Sequence, residues 1–94
     1  MKHGALMHGA DDDVAVVVQD VSSGTEVRAV TLDGTDRGSV TAAEDIPLGH
    51  KIAMRDISEG ETVTKYGRSI GKASANIKKG AHVHTQNIKT VRWS

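Results

Sequence analysis

The chain has 94 residues, and its 12 Lys+Arg balance 12 Asp+Glu, so it is sized for one small domain and lacks the net positive charge of a surface that grips nucleic acid. One Trp, one Tyr and no Phe leave no platforms for base stacking, and the absence of Cys excludes disulfides and thiolate metal sites. The longest aliphatic run, Val14 to Val18, is far too short to span a bilayer, and the opening MKHGALMHGADDD has neither the apolar core of a signal peptide nor the basic character of a transit peptide; the expectation is a cytoplasmic protein with no membrane and no nucleic-acid partner.

In chain order, residues 1–13 read as an N-terminal segment carrying His8 and the acidic run Asp11–Asp12–Asp13, which by itself reads as a solvated loop. A single domain follows over 14–94. VAVVVQDV (14–21) is a nearly continuous apolar strand, expected to be buried on both faces, and TEVRAVTL (25–32) is expected to form a hairpin with it. DGTDRG (33–38) is a turn cluster, and SVTAA (39–43) reads as a strand or a short helical start. HKIAMRDI (50–57) with ETVTKYG (61–67), then SIGKASANI (69–77) with AHVHTQNIKTV (81–91), are expected as two further strand pairs. No window carries a sustained helical stripe, so the chain is all-β.

An eight-residue pattern recurs in DVSSGTEV (20–27), DIPLGHKI (45–52), DISEGETV (56–63) and NIKKGAHV (76–83): Asp or Asn, then Ile or Val, two variable residues, Gly, two variable residues, then Ile or Val. Asp and Asn start turns by bonding their own backbone, Gly supplies the positive φ of a tight turn, and β-branched flanks suit strands. The starts at 20, 45, 56 and 76 are irregularly spaced, whereas a solenoid needs a fixed period. One compact β-domain therefore reuses one turn.

Four histidines sit where chemistry is plausible. His8 precedes the acidic run, His50 follows Gly49 at a strand start, and His82 and His84 share a strand face because side chains alternate. Neutral imidazole is the commonest nitrogen donor to metals and titrates near neutral pH, so these residues can serve as base, acid or ligand. An i, i+2 histidine pair alone is equally an ordinary surface feature.

Taken together, DIPLGHKIAMRDISEGETVTKYGRSIGKASANIKKGAHVHTQNIKT (45–90) closely resembles the SAF domain of the altronate/galactarate dehydratase family. HGADDDVAVVVQDV (8–21) resembles that family's opening, and GHKIAMRDI, KYGRSIG and GAHVHTQN are its specific segments. The resemblance implies a β-clip fold of short hairpins over 14–94. It also implies a small subunit of a sugar-acid dehydratase, a hydro-lyase of the altronate or galactarate type, that is inactive alone and contributes to a site shared with a large dehydratase-like subunit. The residues it points to are His8, His50 and His84 for catalysis. Candidate ligands are His8, Asp12, His82 and His84, for a divalent metal (Fe²⁺, Mn²⁺ or Mg²⁺) shared with the large subunit. The family often has a third histidine where this chain has Gln86. Sulfolactate sulfo-lyase is similar in having a SAF-type small subunit with a tail like KTVRWS (89–94), so sulfite is the alternative leaving group. A non-catalytic SAF module that binds carbohydrate or another protein is the remaining reading.

Overall fold

The computed structural model describes residues 4–9, 12–65, 68–84 and 88–89. Nine strands are present among them: β1 (Ala5–Met7), β2 (Val14–Val17), β3 (Glu26–Thr31), β4 (Asp36–Thr41), β5 (Lys51–Ala53), β6 (Thr62–Lys65), β7 (Arg68–Ala73), β8 (His82–Val83) and β9 (Ile88–Lys89). No helix occurs among the described residues, in agreement with the all-β expectation, and none is therefore long and apolar enough to cross a membrane. Tyr66, Gly67, Gln86 and the tail 90–94, all part of the sequence resemblance, lie outside the described residues, as do His3 and Asp11.

The strands form a six-stranded sheet of order β4-β3-β1-β2-β5-β8 and a three-stranded sheet of order β6-β7-β9. β2 is the partition between two cores. Its alternating side chains send Ala15 and Val17 into one cluster, with Ala5, Met7, Ala29, Ile46 and Ile52, and Val14 into another, with Ala53, Ile57, Val63, Ile77 and Val83. The expected burial on both faces holds for Val14, Ala15 and Val17, each 1 % exposed, but the strand is shorter than the expected 14–21: it ends at Val17, and Val18 is 39 % exposed.

The expected strand pairings need correction. Residues 14–21 and 25–32 do not form a hairpin, because β1 inserts between them, antiparallel to β2 and parallel to β3. The N-terminal residues thus supply a central strand, with Ala5 fully buried. β5 does not pair with β6; it lies between β2 and β8, and β6 pairs with β7 instead. Of the third expected pair, β7 does meet β9, while β8 goes to the other sheet. Residues 39–41 are strand, not helix, and the turn cluster ends early, with β4 already begun at Asp36.

The four copies of the eight-residue pattern associate in two pairs. Val21 and Ile46 exchange both backbone hydrogen bonds, at 2.9 and 2.8 Å, as do Ile57 and Ile77, both at 2.7 Å. The leading polar side chain of each copy accepts a backbone N–H from its partner copy at 2.8 Å: Asp20 from Leu48, Asp45 from Ser23, Asp56 from Lys79 and Asn76 from Glu59. The expectation that these side chains bond their own backbone is corrected: they bond the facing turn. Each glycine repeats the symmetry, its N–H donating to the carbonyl three residues ahead of the partner copy (Gly24 to Ala42, Gly49 to Val17, Gly60 to Ala73, Gly80 to Ala53).

The acidic run is likewise no solvated loop where it is described. Asp12 and Asp13 are 6 % and 8 % exposed. The Asp13 carboxylate accepts Arg55 Nε at 2.7 Å and the Thr64 N–H at 2.8 Å, which ties β2 to β6 across the two sheets. Arg55 also reaches Glu61 at 3.0 Å. The bond to Asp13, followed by that to Glu61, raises the Arg55 pKa above its ordinary value.

Gly80 is the most constrained of the turn glycines. Its φ is +91°, and a Cβ there would lie 2.1 Å from the Thr41 carbonyl oxygen. Gly24 has φ +89° but nothing within 4 Å of a Cβ. Gly24→Ala should therefore cost about 1–2 kcal/mol, the left-handed penalty alone. Gly80→Ala should cost clearly more, because backbone must also move. Urea denaturation of both variants checks this; equal losses would contradict the packing described.

Candidate functional site

β5 leaves the second copy of the turn and β8 leaves the fourth, and the two strands pair antiparallel, Lys51 with Val83 and Ile52 with His82. Continuing that register by one residue sets His50 opposite His84. Residues directly opposite in an antiparallel pair share a face, so His50, His82 and His84 project together, on the face that carries Ile52. Sequence alternation alone placed His82 and His84 side by side; the pairing of two distant turns adds His50.

The three imidazoles are half-buried and in contact. His50 Nδ1 lies 2.8 Å from His82 Nε2, so one nitrogen carries a proton and the other accepts it. The rings of His50 and His84 stack with centroids 4.2 Å apart, and those of His82 and His84 lie 5.8 Å apart and nearly parallel. One ligand nitrogen from each residue falls within 4.8 Å of the other two. Such a set fits one cation, since three protein ligands with a remaining open position is the usual arrangement of a catalytic metal.

The electrostatics favour a neutral His82. Burial lowers the His82 pKa, the neighbouring His50 and, more weakly, His84 lower it further, and the Glu44 carboxylate opposes them. A neutral imidazole presents a lone pair to a metal or a proton. Glu44 lies in the loop after β4, and its Oε2 accepts the His82 N–H at 3.1 Å. Nothing in the sequence marks Glu44, because its neighbourhood exists only once Gly80 has docked against Thr41 and the Ala43 N–H has bonded the Gly80 carbonyl at 2.8 Å.

His8 and Asp12 are not part of this cluster. The registers of β1 with β2 and of β2 with β5 place His8 three residues further along the sheet and two strands across from His50, roughly 14 Å by strand geometry. The Asp12 carboxylate accepts the N–H groups of His8 and Gly9, both at 3.1 Å, and closes the turn between β1 and β2. His8 instead lines an open cleft of about 280 Å³ with Gly9, Thr31, Leu32, Asp33 and Thr35. In that cleft the Asp33 carboxyl is held down at about 2 by hydrogen bonds from Thr31 and Thr35.

Residues 3–91 match the family described as the altronate/galactarate dehydratase SAF domain. The chain is 42 % identical to the (2R)-sulfolactate sulfo-lyase subunit alpha of Chromohalobacter salexigens over 94 % of its own length and 95 % of that protein. It is 48 % identical to the subunit alpha of the same name from Paracoccus pantotrophus, over 68 % of this chain and 94 % of that one. It is also 44 % identical to the altronate dehydratase of Escherichia coli over 84 % of this chain, but this spans only 15 % of that enzyme.

A lowered His82 pKa has a defined consequence for stability. The unfolded chain takes up this proton at the ordinary histidine value while the folded chain resists it, so the contribution is present above that value and is lost as pH falls towards the folded pKa. NMR titration should place the His82 midpoint below that of a free histidine, and His50→Ala should move it upwards. A midpoint at or above the free value would contradict the burial and the ring contacts.

Proposed function

Because the chain belongs to the altronate/galactarate dehydratase SAF domain family, we propose that it is a subunit of a lyase that eliminates water from a sugar acid or a related 2-hydroxy acid. The observation that carries this reading is the convergence of His50, His82 and His84 from two separate turns onto one half-buried face. Such an elimination removes a proton next to a carboxylate, develops enediolate charge, and protonates a leaving group. Imidazole titrates near neutral pH, so a neutral ring suits the first of these tasks and a protonated ring the last.

Of Fe²⁺, Mn²⁺ and Mg²⁺, the three-imidazole donor set of His50, His82 and His84 suits Fe²⁺, because Mn²⁺ and above all Mg²⁺ favour oxygen ligands. When bound, that cation supplies Lewis-acid stabilisation of the enediolate. The chain's own residues then have definable tasks. His50 Nδ1 and His82 Nε2 hold one proton between them across 2.8 Å. His84, stacked on His50, brings a third imidazole to this face as ligand, acid or base. His8, on its separate cleft, is left as a contributor only if the partner bridges the two places.

A domain of this size buries too little surface to enclose a sugar acid and exclude water. We therefore assign the remaining walls to a large dehydratase-like subunit. That the relatives from Chromohalobacter and Paracoccus carry the designation subunit alpha supports such a partner. The same two relatives favour a second reading, with sulfite as the leaving group, because they are matched over 95 % and 94 % of their lengths. A non-catalytic carbohydrate or interaction module is the outcome in which no partner confers turnover.

The test is an assay with and without a co-purified large subunit, on altronate and galactarate for dehydration and on sulfolactate for sulfite release. The purified chain is expected to be inactive and the complex active on one substrate class. His84→Ala should assemble normally but lower turnover roughly 10²-fold, the usual scale for losing an acid or base. Turnover by the chain alone, or wild-type rates for the assembled His84→Ala complex, would contradict the proposal.

A further inference from the structure

Three neutral imidazoles around a divalent cation do not themselves offset its two positive charges, and sites of this kind are tuned by carboxylates outside the ligand set. The Glu44 carboxylate is bonded to the cluster's own backbone, accepting the His82 N–H at 3.1 Å. We propose that Glu44 is a positioning residue of the histidine cluster: its carboxylate fixes the start of β8 and supplies the negative charge that the three rings lack. This inference rests on the reading of the cluster as a metal site.

The backbone around Glu44 is fixed although its side chain is exposed. On one side, Ala42 is 2 % exposed, and its N–H bonds the Thr25 carbonyl at 2.8 Å while its own carbonyl accepts the Gly24 N–H at 2.8 Å. Ala43 donates to the Gly80 carbonyl at 2.8 Å. On the other side, Asp45 caps Ser23 at 2.8 Å and Ile46, 1 % exposed, exchanges both hydrogen bonds with Val21. Glu44 is thus held between two anchored neighbours, 38 residues from His82 in sequence. The contact does not depend on a freely moving loop. The bond also takes up the first N–H of β8. Glu44 acts on the cation through His82 and through space; it is not one of the ligands.

The experiment is calorimetric titration of the folded chain with Zn²⁺ as the probe, for wild type, Glu44→Gln and Glu44→Asp, at low and high salt. Glu44→Gln keeps a carbonyl acceptor for the His82 N–H but removes the charge. Its affinity should fall about 10-fold, the lower end of the usual effect of such outer groups. Glu44→Asp should recover part of the loss. The gap between wild type and Glu44→Gln should narrow in high salt, because the charge is exposed and screened; a purely structural role would leave the gap unchanged. Thermal melts establish that each variant is folded, and Glu44→Ala serves in place of any variant that is not. Equal Zn²⁺ affinity in wild type and Glu44→Gln, or a salt-independent gap, overturns this inference while leaving the metal reading intact. No Zn²⁺ binding by the folded wild type overturns the metal reading and the inference with it.

Discussion

In each interlocked pair of turns, a side-chain oxygen from one turn accepts the N–H of the other at 2.8 Å, and the reverse bond is made by the second turn at the same length. The isoleucine or valine that follows in each copy is buried beneath this exchange, Ile46 and Ile57 at 1 % exposure. A single hydrogen bond of this kind contributes about 1 kcal/mol net, and the backbone bonds between Val21 and Ile46 and between Ile57 and Ile77 add to it. Each pair closes a loop of 20 or 25 residues between the two starts, at positions 56 and 76 and at 20 and 45. With strands as short as two or three residues, this fold needs such closures more than it needs long ladders.

Placement of the site follows from how the two pairs meet. β5 runs out of the first pair and into the second, and β8 leaves the second pair beside it. Ala53 both donates to the Ala81 carbonyl and accepts from Gly80, which sets the register and hence the face on which the histidines stand. Slipping β8 by one residue would turn His82 and His84 to the opposite face and expose Val83, which is fully buried. Core packing and site geometry are therefore the same constraint. The Gly80 backbone serves both, touching Thr41 and Ala43 on one side and β5 on the other.

What the sequence made legible was local. The four turns are visible as Asp/Asn-Ile/Val-x-x-Gly because turn chemistry is written in adjacent residues, and the double burial of Val14–Val17 is visible in an unbroken apolar run. Pairing is not local. Nothing near Asp20 says that its carboxylate meets Leu48, or that β1 will part residues 14–17 from 26–31, so the simple hairpins expected from neighbouring strands give way to side-chain exchanges over 17 to 28 residues. The candidate site divides the same way. His82 and His84 declare themselves through alternation and His50 through its place after Gly49. Their union with one another, the separation of His8 and Asp12 from them, and the approach of Glu44 depend on long-range register. The acidic run shows the limit of composition as a guide: three consecutive aspartates read as solvated, yet Asp13 is buried because Arg55 and the Thr64 N–H await it.

The central claim is that the paired turns assemble His50, His82 and His84 into one cation site. Its most direct measurement is a crystal structure of the chain grown with Zn²⁺, with anomalous diffraction recorded at the zinc edge. The account predicts a single strong peak in contact with one ring nitrogen from each of the three histidines, at about 2.0–2.1 Å, with the β5–β8 register unchanged. A structure in which the three rings are ordered but the zinc lies elsewhere, or in which His50 and His84 face apart, would contradict it.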